Sequence, residues 1–417
     1  MHQPNYGSEH RLCQPAAQYL EVLVRRTLPA SAVFIVIFAT AGCGDAKSGA
    51  PAETGPIKVG QIVSLTGNYS PLGSENKKSV QLAVDQINSK GGVLGRKIEL
   101  VVKDDKSQPD QSVLAFNELK GDVAAVIGSP FSNSALATIP LVDREKIPYL
   151  SLTPADEQVS PVHPYVFVVP ATSATYAERM LQYLKAINIT KLAVAYDTKS
   201  SYAVAGFKGM QAKAAQFGVT LTTPEEFQTT ATEFSAVFAH VKASGAQALA
   251  VWATGAPAVA LTKQYASAAL GIPLLLTGAQ ASKLFLDPAG PAAEGITLSS
   301  SIGVVGSYLP DGAQKNAINE LATAFQSQFG YAPPQFAQDG YSAVKLLAAA
   351  IDKAKSIDKD KVQAALEGLS LLTPNGTYAY SKTDHSGLKP DYISINTVKS
   401  GAFVPTDWAK TQLTSLK

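Results

Sequence analysis

Residues 57–92 read IKVGQIVSLTGNYSPLGSENKKSVQLAVDQINSKGG, and the fold class follows from how that stretch divides. Its first eight residues form a short apolar, β-branched run of the kind that fills a buried strand. Residues 67–73, punctuated by Gly67, Pro71 and Gly73, read as a loop. A helix then extends to about Lys90, with Val80, Ala83, Val84 and Ile87 on one face and Gly91-Gly92 ending it. The same alternation continues: a strand at 98–102, a helix after Pro109, a strand at 124–127, a loop at 128–133, a helix to about Glu145 and a strand at 149–151. Strands separated by helices cannot pair as hairpins, so this is one doubly wound parallel lobe.

The pattern pauses at 163–170 (HPYVFVVP), an extended segment that cannot be helical near either flanking proline. It reads as a crossover between lobes. A second series follows, with helices at 173–186, 203–217, 234–244 and 256–270 and strands at 191–196, 220–227, 248–252 and 274–277. After another extended segment at 295–301 (GITLSSS) come helices at 314–329, 338–354 and 359–366, then extended pieces at 378–380, 392–398 and near Phe403. Helices without a sheet of their own must pack on an existing lobe. The expected fold is therefore α/β: two doubly wound parallel-sheet lobes joined by three crossovers, near 164–170, 296–301 and 372–377. Lobe 1 should comprise 57–169 and 300–372, and lobe 2 should comprise 170–299 and 373–417.

Composition agrees. A chain of 417 residues exceeds what one core usually organises. Its 46% hydrophobic and 16% charged residues suit buried parallel sheet, and a net charge of +2 offers no electrostatic grip on nucleic acid. Both cysteines, Cys13 and Cys43, precede the folded body. No disulfide can staple that body, and neither thiol catalysis nor cysteine-bound zinc is available to it.

Arg25 and Arg26 precede the apolar run 32–39 (AVFIVIFA), which is too short to span a bilayer, and then Thr40-Ala41-Gly42-Cys43. Residues 1–42 read as a secretory signal whose Ala-Gly-Cys ending resembles the lipobox of bacterial lipoproteins, implying lipidation of Cys43. Thr40 departs from the leucine preferred there. The polar stretch 1–23 suggests translation beginning near Val22 or Val24, against the plainer reading of a signal with an extension. Residues 43–56, rich in small residues and proline, read as a flexible tether. The expected location is extracytoplasmic, lipid-anchored to the cell membrane.

The segments 57–73, 81–105 (QLAVDQINSKGGVLGRKIELVVKDD), 124–153 and 163–172, with Ala293-Glu294-Gly295 and residues 339–344 (DGYSAV), resemble the type I periplasmic binding proteins of the leucine/isoleucine/valine-binding group. The resemblance implies a monomer that closes over a small solute, an organic acid, amide or amino acid, and hands it to an ABC permease, with no cofactor. Receptors and amidase regulators share the fold, so a ligand-sensing protein is a further alternative. The resemblance places Ser132, in the loop GSPFSNS at 128–134, on the serine that holds the ligand carboxylate. Neighbouring Asn133 and Ser134 join it, as do Thr153 and Ala155 after the next strand. Position alone allows the hydroxyl and the first-turn N–H groups of the following helix to bind an anion, or Ser132 simply to cap that helix. Tyr202 falls on a family tyrosine that closes over the ligand. Trp252 could wall the pocket or fill the core, Gln280 lies in a cleft-facing loop, and Tyr69 and Leu72 could line an apolar end.

Amino-acid binders of this group place an acidic side chain in the loop after the strand at 274–277, yet here that loop reads Gly278-Ala279-Gln280-Ala281. An unpaired buried ammonium costs several kcal/mol. Asp339 is a candidate replacement, weighed against an ordinary surface or capping aspartate. The expectation therefore leans to a small organic acid or neutral amide-like solute over leucine. No catalytic residue and no metal ligand set is assigned. His163, His240 and His385 are not placed near Ser132, no nucleophile elbow, zinc-protease or phosphate-loop motif occurs, and the pairs Asp104-Asp105 and Glu225-Glu226 read as solvated carboxylates.

Overall fold

A computed structural model describes residues 55–416, so the leader, Cys43 and most of the tether lie outside the described residues. The first sheet uses β1 (Ile57–Val63), α1 (Ser70–Ser89), β2 (Ile98–Asp104), α2 (Pro109–Leu119), β3 (Ala125–Ile127), α3 (Ser132–Glu145), β4 (Tyr149–Ser151) and β5 (Val166–Val168). Its strands are all parallel, in the order β2-β1-β3-β4-β5. The chain then forms α4 (Ser173–Ala186), β6 (Lys191–Asp197), α5 (Ser201–Lys213), β7 (Thr220–Leu221), β8 (Glu225–Phe227), α6 (Ser235–Ser244) and β9 (Ala248–Trp252). Next come α7 (Ala256–Ala268), β10 (Leu274–Leu276), α8 (Lys283–Ala289) and β11 (Thr297–Ser301). The order β7-β6-β9-β10-β11 repeats that of the first sheet, with β8 also pairing β6. Each sheet reverses direction between its first and third strands, and parallel sheets leave their ligand crevice at that point, beyond the carboxyl ends.

Last come α9 (Ala313–Phe329), α10 (Gln335–Ala354), α11 (Lys359–Glu367), the hairpin of β12 (Ser370–Thr373) and β13 (Gly376–Ala379), β14 (Ile393–Lys399), β15 (Ala402–Pro405) and α12 (Asp407–Leu413). Helix α10 lies along α1 of the first lobe. Gly340 permits the approach: a Cβ there would sit 2.4 Å from Ser79 Oγ and 2.8 Å from Asn76 O. One turn earlier the Asn76 side chain donates to Phe336 O at 2.8 Å, fixing the start of α10.

Several expectations need correction. Helix α1 begins at Ser70, inside the expected loop, because Pro71 suits a first helical turn and has no N–H to leave unpaired. The segment 163–170 is not only a crossover, since Val166–Val168 adds a fifth parallel strand beside β4. The expected strand at 220–227 is two short ones interrupted at Pro224. The second sheet is not wholly parallel, because β14 and β15 join it antiparallel to β11. Residues 300–301 belong to that sheet, and the 3-10 segment Ile302–Tyr308 packs on β14 and β15, so the chain leaves the second lobe later than 299. The hairpin at 370–379 stays beside the first sheet: the Tyr378 phenol donates to Val169 O, and that of Tyr380 to Val168 O at 2.9 Å. The last crossing therefore falls between Tyr380 and Ile393.

One buried carboxylate organises the crevice side of the first sheet. Asp105, fully buried just past β2, accepts from Ser64 Oγ beyond β1 at 2.6 Å, Ser129 Oγ beyond β3 at 2.5 Å and Ser107 N at 2.9 Å. Neighbouring Asp104 accepts from Leu65 N, Thr66 Oγ1 and Lys106 N, each at 2.8 Å, and these bonds hold its carboxyl below the usual range against the opposing effect of desolvation. Both tie loops together; Asp105 is buried, contrary to expectation, while Asp104 stays partly exposed. Asp105→Ala, which strands two buried hydroxyls and an N–H, is expected to lower stability by roughly 3 kcal/mol. A fall in the urea midpoint at unchanged slope is the measurement.

Candidate functional site

The loop after β3 shows how the sequence builds the site. Gly128 must lack a side chain, because a Cβ would lie 2.1 Å from the Tyr149 hydroxyl. Ser129, anchored by Asp105, accepts from Phe131 N at 3.1 Å and turns the chain into α3. Ser132 is then the first helical residue, with Phe131 at the cap position and no side-chain cap bond. The ordinary capping role is thereby excluded. Its hydroxyl instead pairs with Thr153 Oγ1, 2.5 Å away beyond β4. The Thr153 carbonyl accepts from Gln158 Nε2 at 2.8 Å, which fixes that loop.

Ser132 and Thr153 line a small cavity between the lobes, partly open to solvent. Of the residues expected at a ligand, Ser132, Thr153, Tyr202, Tyr69, Leu72 and Asp339 share this cavity. Tyr202 comes from the second lobe, where its phenol donates to Thr277 Oγ1. Tyr69 stacks on Phe131 with ring centroids 4.2 Å apart, and its phenol faces the Ser200 and Thr254 hydroxyls of the second lobe. Burial pushes Tyr69 up to about 12 and Tyr202 well above its usual value, so both remain neutral donors at physiological pH. Asp339 is 1% exposed in the second turn of α10, which rules out the surface and capping readings.

The other expected residues lie elsewhere. Asn133 bridges the lobes directly, donating from Nδ2 to Lys199 O and accepting from Ser201 N, each at 3.0 Å. Both ends of its amide are thus already engaged. Ser134 is buried one residue deeper in α3, and Ala155 supplies a carbonyl to Gln158 at 3.0 Å. Trp252 is fully buried behind Tyr202, with centroids 5.5 Å apart, and fills the core. Gln280 ties two second-lobe loops together: Nε2 donates to Ala253 O at 2.9 Å, and Oε1 accepts from Thr277 N at 3.2 Å. It faces an outer groove that meets the cavity at Leu72 and Ala279.

Sequence reading missed Tyr176, Gln335 and Phe336 on the cavity wall, which Thr254 from the loop after β9 also joins. Tyr176 lies on an amphipathic helix, where nothing separates a pocket residue from a core one. Gln335 and Phe336 were legible in principle: Pro333-Pro334 marks a helix start, and the expected start at 338 was three residues late. Gln335 accepts from Ser301 N at 2.6 Å and donates to Asp339 Oδ1 at 3.2 Å. The three histidines among the described residues are occupied elsewhere, His163 with Asp143 at 2.7 Å, His240 with Glu225 at 3.0 Å and His385 with Val166 O at 2.8 Å.

Two sheets thus present strand ends and one helix N-terminus to a single gap, the arrangement of a binding cleft. The family model for periplasmic binding proteins matches residues 56–400. The chain belongs to that family. This binding protein is 26% identical over 343 residues to Leu/Ile/Val-binding protein homolog 3 of Brucella melitensis, covering 80% of the chain and 89% of the relative. It is 25% identical over 339 residues to the leucine-, isoleucine-, valine-, threonine- and alanine-binding protein of Pseudomonas aeruginosa, covering 78% and 86%. A crystal structure of a type 1 periplasmic binding protein from Bordetella pertussis superposes with a TM-score of 0.76 at 25% identity, covering 84% of this chain and all of that one. These matches place the chain in the leucine/isoleucine/valine-binding group of type I proteins, whose members bind solutes rather than transform them. Among the described residues no helix is long and apolar enough to cross a membrane.

The Asn133 bridge yields a prediction. Asn133→Ala removes two bonds that exist only when the lobes meet, each contributing about 0.5–1.5 kcal/mol. The lobes should open, increasing the radius of gyration by small-angle scattering, and solute affinity should drop roughly tenfold by calorimetry.

Proposed function

We propose that this protein is the extracytoplasmic solute-binding lipoprotein of an ABC importer, holding a small carboxylate-bearing or amide-like solute between its lobes and delivering it to a membrane permease. One observation carries the reading: the Ser132 and Thr153 hydroxyls beside the N-terminus of α3, and the Tyr202 ring from the opposite lobe, line the same cavity. The first-turn N–H groups of a helix are unpaired and point along its positive end. A carboxylate seated there gains several charge-assisted bonds, while Tyr69, Leu72, Phe336 and Tyr202 enclose its apolar remainder. Only a solute touching both lobes can favour the closed arrangement, and closure is what a permease can recognise. A branched-chain amino acid is the second reading, favoured by the names of the relatives and by the acidic side chain of Asp339 on the cavity wall.

Ser132→Ala is expected to weaken solute binding by roughly tenfold or more, the loss of one bond to a charged group, without unfolding the protein. Tyr202→Phe, which keeps the ring and removes the Thr277 bond, should cost less. Calorimetry with a carboxylate solute that stabilises the wild-type protein measures both, and unchanged affinity in Ser132→Ala would place the carboxylate elsewhere. For the lipid anchor, Cys43→Ser should move the protein from the membrane to the soluble fraction. Membrane retention of that variant would refute lipidation.

A further inference from the structure

Asp339 is the one residue on the cavity wall that carries a full charge when ionised at neutral pH, and no protein cation faces it. Its Oδ1 accepts from Asn375 Nδ2 at 2.8 Å and from Gln335 Nε2 at 3.2 Å. Its Oδ2 reaches only that same Gln335 amide, at 3.4 Å, and has no donor of its own. Among the described residues it forms no ion pair with lysine, arginine or histidine. The elements packed around it contribute the Tyr176 phenol from α4, the Tyr378 phenol from β13 and the uncharged 278–279 turn of the second lobe. Both phenols are pushed well above their usual value by burial and stay neutral.

A buried carboxylate with two amide donors and no counter-charge is costly to keep. The rest of the wall suits a cation, because the rings of Tyr69, Tyr176, Tyr202 and Phe336 enclose the same space and aromatic faces attract positive charge. The anion-binding end is separate: Ser132 and Thr153 hydrogen-bond to each other at the start of α3, with no bond to the group around Asp339. We infer that the solute carries a protonated amine as well as its carboxylate, and that Asp339 on α10 is the specificity-determining residue that holds the amine. The inference rests on the carboxylate reading above. It moves the cation's partner from the 278–281 loop, which has no acidic side chain, to the helix that follows the second crossing.

The test uses probes matched except for the amine: L-leucine with 4-methylpentanoate, L-phenylalanine with 3-phenylpropanoate, and 4-aminobutanoate with butanoate. The amine-bearing members should raise the melting temperature more than their partners. Asp339→Asn should weaken their binding roughly tenfold or more. Burial lifts Asp339 to about 7 in the free protein. Ionising it against an ammonium therefore releases about half a proton at pH 7, more at pH 6 and almost none at pH 8, read from the buffer dependence of the binding enthalpy. If the deaminated acids bind as tightly as the amines and Asp339→Asn changes nothing, the amine assignment fails and the carboxylate cleft stands. If Ser132→Ala leaves every binder unaffected, the cleft reading itself fails.

A measurement on the free protein tests the premise of an uncompensated carboxylate without any solute. An acid whose folded value is raised loses stability as pH climbs from its unfolded value near 4 to its folded value near 7, and the loss persists above that. Asp339→Asn should therefore gain melting temperature relative to wild type between pH 5 and pH 8. If the variant is instead less stable than wild type at pH 8, the carboxylate is a structural partner of Gln335 and Asn375, and the proposal is overturned.

Discussion

The turns after β1, β2 and β3, and with them the start of α3, depend on the carboxylate of Asp105. Three parallel strands end at the same level, and their loops would otherwise be free to diverge. A single acceptor with two oxygens draws Ser64, Ser129 and Ser107 together, so the turns after β1, β2 and β3 are fixed relative to one another. Ser129 then hands that order to the first residue of α3 through Phe131 N. The position of Ser132 is thus inherited from a charge three strands wide and fully buried. The bonds to that charge, each contributing about 1.5–3 kcal/mol, explain how a polar group can be the organising centre of an apolar sheet.

The contacts that join the lobes are of a different kind. Asn133 bonds to two backbone groups of the opposite loop, the Ser173 N–H donates to Pro154 O at 2.7 Å, and Tyr69 reaches toward Ser200 and Thr254. These bonds are neutral and replaceable by water, so each contributes only about 0.5–1.5 kcal/mol. A hydrophobic seal of the same area would hold the lobes shut whether or not a solute was present. A polar lip around an aromatic interior would instead leave the two arrangements close in free energy, so that a solute could supply the difference.

The alternating pattern from Ile57 onward made the architecture legible, because buried parallel strands must be short and apolar and the connecting helices must be amphipathic. What escaped were features set by tertiary pairing. Val166–Val168 looked like a linker because prolines bracket it, yet proline restricts only itself and the residue before it, and towards extended backbone, leaving the residues between free to pair with β4. Likewise residues 296–301 read as a crossover because the segment looked extended and unattached, although β14 pairs with Thr297–Ser301 throughout. At the site, Ser132, Thr153 and Tyr202 followed from strand ends and family resemblance. Tyr176 could not, since only the fold turns one face of α4 toward the cavity. Asn133 shows the opposite case: its position suits a ligand contact, and its amide spans the gap to the opposite loop.

The cation end of the cavity is connected to the rest of the molecule through one amide. Ser301 N can only donate, so the Gln335 oxygen must face it, and the Gln335 nitrogen must then face Asp339. Flipping the amide would set nitrogen against N–H and oxygen against a carboxylate, losing both bonds at once. Gln335 therefore couples the charge state of a first-lobe helix to the last residue of β11, where the chain leaves the second sheet. When Asp339 is ionised the bond from Gln335 is charge-assisted and stronger than when it is neutral, so a bound cation tightens the link between helix and strand. Recognition of the solute and alignment of the lobes would then be two effects of the same hydrogen-bonded chain, which gives a physical reason for placing the carboxylate on α10 instead of in the turn after β10.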